Sequence, residues 1–228
     1  MSVVESLGEN NLHSHAMSFD TLAPYYRIME WVTAGGVLQR CRTAFIAEAS
    51  NSRRALLLGE GPGRFLGELL RTNPRVEVTC VERSPRMIAE ARRGLDASQL
   101  ARVQFVQADA LTWQPPRCES DLVVTHFFLD CFRRDELQAL VAKIAASATA
   151  DARWLLADFR EPETGWRRWR ARAVLATMYG FFRLATALSA SQLTPPGEFL
   201  RASGFRLTAR RLANFGLAHS DLWQRNAS

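Results

Sequence analysis

The chain has 228 residues, 47% of them apolar, which is enough to form one domain with a full hydrophobic core. Its net charge is +6 and its pI is near 9.8. No apolar run approaches the roughly 20 residues of a membrane span, and residues 1–18 lack the hydrophobic stretch of a secretion signal, so we expect a cytoplasmic protein. Four scattered cysteines show no metal-binding spacing, which predicts reduced thiols and no metal site.

The N-terminal part is predicted to have two segments. Residues 1–18 are polar and without periodicity, which favours a disordered tail. Apolar residues then recur at helical spacing, which predicts a helical cap over residues 19–50 with a break at Gly35-Gly36. Residues 51–228 are expected to form the main domain.

In that domain strand and helix patterns alternate, which predicts an α/β fold with a doubly wound, mostly parallel sheet of seven strands. The five parallel strands are expected at Ala55–Leu58, Val76–Val81, Val103–Gln107, Leu122–Thr125 and Trp154–Ala157. The helices are expected at Phe65–Thr72, Pro85–Leu95, Arg134–Ala146, Trp166–Leu188 and Gly197–Ala202. The last two strands are expected at Arg206–Leu212 and Leu217–Trp223, and the few residues between them suit an antiparallel hairpin.

Three glycines at alternate positions follow the first strand: Gly59, Gly61 and Gly63. Because glycine has no Cβ, such a turn lets a ligand approach the backbone closely. The second strand ends in Glu82, whose carboxylate can accept hydrogen bonds from both hydroxyls of a ribose. The third glycine of a dinucleotide fingerprint is missing, so the spacing predicts a nucleoside site and disfavours a nicotinamide oxidoreductase.

The glycine turn followed by Glu82 resembles motif I of the class I S-adenosylmethionine (SAM) dependent methyltransferases. Three further segments, Phe19 to Tyr26, Val81 to Met87 and Leu156 to Pro162, resemble the menaquinone and ubiquinone C-methyltransferases (methyltransferase type 11/25). The resemblance covers most of residues 19–206. It implies a Rossmann-like sheet ending in an antiparallel hairpin, with SAM as cofactor and S-adenosylhomocysteine as product.

Two positions depart from the pattern of that family. Leu57 stands where most members carry an acidic residue that helps to organise the SAM amine, and Glu60 in the loop is a candidate substitute. The segment from His126 to Phe132 lacks the Arg-Asn pair of the quinone enzymes, so a quinol acceptor is not implied.

The resemblance also implies which residues hold the cofactor. Glu82 would bind the ribose, with a helix-cap carboxylate as the alternative, and Asp109 would accept from the adenine amino group, with a turn aspartate as the alternative. The full predicted set is Tyr26, Gly59, Glu60, Gly61, Gly63, Glu82, Arg83, Met87, Asp109, Ala110 and Thr125.

Three residues after the fourth and fifth strands are candidates for catalysis. A sulfonium methyl is already activated, so transfer mainly requires a well-placed acceptor and, for a neutral nucleophile, a base. His126 is the candidate base, with a hydrogen-bonded core histidine as the alternative. Asp130 would orient it or cap a helix, and Asp158 would line the acceptor side.

Tryptophans and arginines alternate at the start of a predicted helical insertion over residues 164–190. The segment 166–182 could cover a lipophilic acceptor, lie on an anionic membrane surface, contact RNA, or simply pack on the sheet. No recognisable nucleic-acid domain accompanies it, so nucleic acid is not expected as a partner.

These patterns predict a SAM-dependent methyltransferase acting on a small, lipophilic or aromatic acceptor. The alternatives are an RNA methyltransferase and, because of Leu57, a catalytically silent methyltransferase-like scaffold protein. Acceptor choice depends on pocket shape, so the sequence leaves open the acceptor atom (carbon, oxygen, nitrogen or sulfur) and the oligomeric state.

Overall fold

The structure, a computed structural model, describes residues 36–185 and 193–226, and the side chains of all of these except 177–185. The predictions for the N-terminal tail, for most of the helical cap and for Tyr26 lie outside the described residues. The extent of the three predicted segments therefore stays a prediction.

The described residues form a seven-stranded sheet with the order β3-β2-β1-β4-β5-β7-β6. Strands β1 to β5 are parallel, and β7 runs antiparallel between β5 and β6. This confirms the predicted α/β fold with its terminal hairpin. The strands are β1 (Arg54–Leu58), β2 (Glu77–Glu82), β3 (Val103–Gln107), β4 (Ser120–His126), β5 (Ala148–Phe159), β6 (Phe205–Ala213) and β7 (Ala218–Arg225).

Helices cover both faces of the sheet. They are α1 (Val37–Thr43), α2 (Arg64–Thr72), α3 (Pro85–Arg93), α4 (Ala97–Leu100), α5 (Arg134–Ser147), α6 (Gly165–Ala185) and α7 (Gly197–Ala202). Short 3-10 helices lie at Ile46–Ala49, Leu129–Cys131 and Asn214–Gly216. No helix among the described residues is both long enough and apolar enough to cross a bilayer.

Two predicted boundaries differ from the structure by more than three residues. The helix expected to continue to Ser50 is interrupted at Phe45, whose backbone (φ −122°, ψ 26°) leaves the helical region, so only a 3-10 helix follows. Strand β5 begins at Ala148, earlier than Trp154, because Ala148 pairs with Ser120 of β4 ahead of the regular pairing that starts at Arg153, and pairing outweighs the weak apolar pattern of these residues.

Alternating residues of the central strands supply two cores, one on each face of the sheet. Leu56 packs into the core with Trp154 and Trp223, whereas its neighbour Leu57 packs with Phe65 on the opposite face. Successive side chains of a strand point to opposite faces, so both faces of β1 are sealed. Polar functional side chains can therefore lie only at the ends of these strands. The carboxyl ends of the parallel strands β1 to β5 share one edge of the sheet.

Candidate active site

The glycine turn and Glu82 meet at the carboxyl ends of β1 and β2. The Gly61 amide donates to Glu82 Oε2 at 3.1 Å, and the Ser84 amide donates to Glu82 Oε1 at 2.9 Å. A carboxylate has about four acceptor positions, so Glu82 retains capacity for two further donors. At this edge of the sheet, the half-buried carboxylate of Glu82 therefore lies beside glycine backbone that carries no side chain.

The three glycines have different surroundings although all have positive φ. A Cβ on Gly63 would lie 2.9 Å from the Ala91 Cβ, so this glycine allows α2 to pack against α3. A Cβ on Gly59 would overlap the ring of Phe128. A Cβ on Gly61 would meet no atom of the described residues within 4 Å. The open face of the turn is therefore at Gly61, next to Glu82.

Glu60 binds the first turn of α2. Its Oε1 accepts from the amides of Phe65 at 2.7 Å and Leu66 at 2.9 Å, which have no partner within the helix. Burial raises the pKa of Glu60 to about 7 in spite of these bonds. Leu57, at the usual acidic position of motif I, is fully buried among apolar side chains.

Asp109 lies in the turn that follows β3. Its Oδ1 accepts from the Leu111 amide at 2.9 Å, as in a turn aspartate, while its Oδ2 lies 3.8 Å from an Arg83 nitrogen. The ammonium of Lys143 on α5 donates to the carbonyls of Ala110 at 2.6 Å and Leu111 at 2.7 Å. This lysine, the only one in the chain, ties the Asp109 turn to the body of the domain.

The comparisons with known proteins agree with this geometry. The model of the methyltransferase domain family matches residues 55–151, which include β1 to β4 and the glycine turn. Residues 55–151 therefore match a methyltransferase domain, and the sheet has the fold of the class I enzymes. The cofactor of this domain is S-adenosylmethionine, and the open face at Gly61 beside the Glu82 carboxylate fits a nucleoside with two free hydroxyls.

Two curated relatives match parts of the chain. A malonyl-[acyl-carrier protein] O-methyltransferase of Paenibacillus sp. is 30% identical over 115 residues, 50% of this chain and 40% of that protein. A trans-aconitate 2-methyltransferase of Escherichia coli is 45% identical over 58 residues, 25% of this chain and 21% of that protein. The chain thus matches less than half the length of either relative.

Solved structures share the fold at low sequence identity. The 1,6-didemethyltoxoflavin N1-methyltransferase of Burkholderia thailandensis, solved with S-adenosylhomocysteine, has a TM-score of 0.64 and 17% identity, covering 99% of this chain and 94% of that chain. An O-methyltransferase family 2 protein of Planctomyces limnophilus, solved with apigenin, has a TM-score of 0.67 and 17% identity, covering 93% and 63%.

The other predicted cofactor residues differ in their burial and in their contacts. Met87 and Ala110 are buried, and Arg83 is largely exposed. The Thr125 hydroxyl accepts from the indole Nε1 of Trp154 at 2.8 Å, inside the core. The structure therefore brings together Gly61, Glu82 and Glu60 directly, with the Asp109 turn at the next strand end.

His126 lies on the opposite face of β4 from Thr125. Its ring contacts that of Phe65 on α2 edge to face, at 4.7 Å between centroids. Burial lowers the pKa of His126 to about 3, with the positive charge of Arg42 adding to the effect. The imidazole is thus neutral and weakly basic at neutral pH. Its Nδ1 is buried without a hydrogen-bond partner among the described residues.

Asp130 and Asp158 form a buried carboxyl pair at the ends of β4 and β5. Both side chains are almost fully buried, and they are hydrogen-bonded to each other. Burial raises the pKa of Asp130 to about 6, while burial and the adjacent Asp130 raise that of Asp158 further. Cys131 donates its thiol to Asp130 across 3.5 Å. Two carboxyl groups in contact share a proton, because both cannot ionise at low cost.

A cavity of about 1130 Å³ lies between β7, α6 and α7, and its lining includes Phe159, the chain neighbour of Asp158. Its apolar wall includes Phe159, Leu175 and Trp223, and its polar wall includes Arg160, His219 and Asp221. The sequence analysis missed this cavity, because it arises where the hairpin joins the parallel strands. A buried polar run on β7, His219 to Asp221, was the available signal.

Proposed function

We propose that this chain transfers a methyl group from SAM to a small lipophilic or aromatic acceptor. The observation that carries the proposal is the open main chain at Gly61 directly beside the Glu82 carboxylate. Bound SAM supplies a methyl group already activated by its sulfonium charge. The protein then has to hold cofactor and acceptor in line and to handle one proton.

In this proposal Glu82 accepts from the two ribose hydroxyls, using the acceptor positions that Gly61 and Ser84 leave open. The amides of the glycine turn face the carboxylate tail of the cofactor. Asp109 accepts from the adenine amino group, held in place by Lys143 through the Ala110 carbonyl. The remaining predicted residues shape this crevice or support it: Tyr26, Gly59, Glu60, Gly63, Arg83, Met87 and Thr125.

The cavity beside β5 is the proposed acceptor site. Its lining includes the end of β5, which β4 separates from β1 in the sheet, and its apolar wall suits a small lipophilic or aromatic molecule. A related fold has been solved with apigenin, which is aromatic. The two curated relatives are named for malonyl-[acyl-carrier protein] and trans-aconitate.

The proposed proton acceptor is the Asp130–Asp158 pair. With one proton shared near neutral pH, Asp158 donates to Asp130, and the Asp130 carboxylate can take the proton that a hydroxyl or amine acceptor loses. The negative charge of Glu82 contributes to the raised pKa of the Cys131 thiol, and this supports a position of the neighbouring Asp130 on the side of the cofactor edge. His126 has a lowered pKa and is the weaker candidate base.

The test is transfer from methyl-labelled SAM to separated fractions of a cell extract. We expect label in the small-metabolite fraction, lost in Glu82→Ala and reduced about 100-fold in Asp130→Asn. Label found in the RNA fraction alone would support an RNA methyltransferase instead. Binding of S-adenosylhomocysteine without turnover on any fraction would support the silent scaffold protein.

A further inference from the structure

Four large hydrophobic side chains of the described residues are exposed. Trp166 and Trp169 on the first turns of α6 are 60% and 73% exposed, and Leu212 and Phe215 at the β6–β7 turn are 57% and 60% exposed. We call these four residues the aromatic patch. Apolar side chains grouped on a surface, unlike scattered ones, mark interaction sites.

The two halves of the aromatic patch form one surface although they are distant in sequence. The rings of Trp166 and Phe215 are in contact, with 5.6 Å between centroids. Arg170 lies over the Phe215 ring at 5.4 Å and donates to the Asn214 Oδ1 at 2.8 Å, which holds the turn against α6. Leu212 lines a shallow groove of about 430 Å³ together with Phe215 and Arg167.

The fold does not require these side chains to be apolar. Helix α6 packs on the domain through Ala171 and Leu175, which are buried, while its tryptophans point away. Phe215 has a φ of 57°, a conformation that is an outlier for a bulky residue. An aromatic side chain kept exposed on an unfavourable backbone gains nothing from the core, so the patch serves contact with something outside the chain.

Positive charge surrounds the aromatic patch. Five arginines and two glutamates lie between Arg160 and Arg172. One of the glutamates, Glu161, is engaged by Arg168 at 2.6 Å and Arg172 at 2.8 Å. The partner must therefore offer negative charge together with an apolar layer.

We propose that the aromatic patch binds the surface of a lipid bilayer that contains anionic headgroups. Tryptophan and phenylalanine insert at the headgroup level of a bilayer, and arginines pair with lipid phosphates. A symmetric contact with a second copy would bring the two sets of arginines together, which disfavours it. RNA would use the arginines but would leave Leu212 without a stacking role.

The experiment is flotation of the full chain, without cofactor, with vesicles of phosphatidylcholine alone or with added phosphatidylglycerol. We expect binding to the anionic vesicles only, weakened at least tenfold by the double change Trp166→Ser and Phe215→Ser. Arg167→Ser should weaken it about fivefold. Arg206→Ser is the matched control, because Arg206 is an exposed arginine at the far end of β6.

Circular dichroism and thermal melting of each variant show whether it is folded. Equal flotation of wild type and the double variant would overturn the proposal. It would also be overturned if wild type did not bind vesicles but bound RNA or self-associated, and the double change abolished that interaction. None of these readouts requires methyl transfer, so the membrane proposal and the proposed function can fail separately.

Discussion

The backbone amide of Gly61 donates a hydrogen bond to the carboxylate of Glu82, 3.1 Å away, across the ends of two neighbouring strands. This bond fixes the side chain that would bind a ribose against the main chain that would face the rest of the cofactor. The position in front of Gly61 is open, whereas Gly59 and Gly63 are covered by Phe128 and Ala91. Gly61 is therefore expected to matter for ligand binding, whereas Gly59 and Gly63 matter for packing.

Substitution of these glycines should separate binding from stability. Gly61→Ala places a methyl group in open space at a φ of 63°, so we expect a stability loss of about 1 kcal/mol and a large loss of S-adenosylhomocysteine affinity. Gly63→Ala adds a clash with Ala91 Cβ at 2.9 Å to the same backbone strain, so we expect a loss of roughly 3 kcal/mol. Urea denaturation and cofactor titration of both variants measure the two effects. The interpretation fails if Gly61→Ala binds as tightly as wild type.

Glu60 should make the protein less stable as the pH rises through the weakly acidic range. Its pKa is raised from 4.5 to about 7 by burial, so the folded chain holds a proton that the unfolded chain has released. Stability attributable to Glu60 is therefore present below about pH 4.5 and is lost between there and pH 7, by on the order of 2 kcal/mol.

Glu60→Gln tests this effect without removing the helix cap, because a single oxygen accepts from both amides. We expect its free energy of unfolding to fall less than that of wild type between pH 4.5 and pH 7. Glu60→Ala is the companion variant, expected to lose about 1–2 kcal/mol at every pH through loss of the cap. If the free energies of unfolding of wild type and Glu60→Gln changed in parallel with pH, the raised pKa of Glu60 would be contradicted.

The sequence predicted the sheet well because the evidence for each strand is local. Apolar runs such as Leu56 to Leu58 are buried on both faces, and a parallel strand needs little else to be recognised. The glycine turn and Glu82 were also predictable, since strand ends of a parallel sheet share one edge.

The rest depends on contacts between distant segments. Asp130 and Asp158 pair only because β4 and β5 are neighbours, and Trp166 meets Phe215 only because the hairpin lies beside α6. The pocket between β7, α6 and α7 likewise needs these distant segments to meet, although the polar run His219 to Asp221 was a local signal for it. The orientation of His126 was within reach of the sequence, since it alternates with Thr125 and shares the face of Val124 and Leu122.

His126 should lower stability in acid. Its pKa falls from 6.5 to about 3 on burial, so below pH 6.5 the unfolded chain takes up a proton that the folded chain does not bind. We expect wild type to lose about 2 kcal/mol more than His126→Phe between pH 7 and pH 5. Urea denaturation at the two pH values provides the comparison. An identical loss in both proteins would mean that His126 is protonated in the fold.

The carboxyl pair should hold a proton at neutral pH. The pKa of Asp158 is raised by burial and by Asp130, so the infrared spectrum at pH 7 should contain the carbonyl band of a protonated carboxyl. This band should weaken in Asp158→Asn, whose amide can still donate to Asp130 and preserve the fold, while the part contributed by Glu60 should remain. An unchanged band in Asp158→Asn would contradict the shared proton.

The central claim, that Glu82 and the glycine turn together hold the adenosyl cofactor, is tested most directly by calorimetric titration with S-adenosylhomocysteine. We expect micromolar binding by wild type and none detectable by Glu82→Ala. Glu77→Ala, which removes an exposed glutamate at the opposite end of the same strand, should bind like wild type. No detectable binding by folded wild-type protein, or equal binding by Glu82→Ala, would contradict the account.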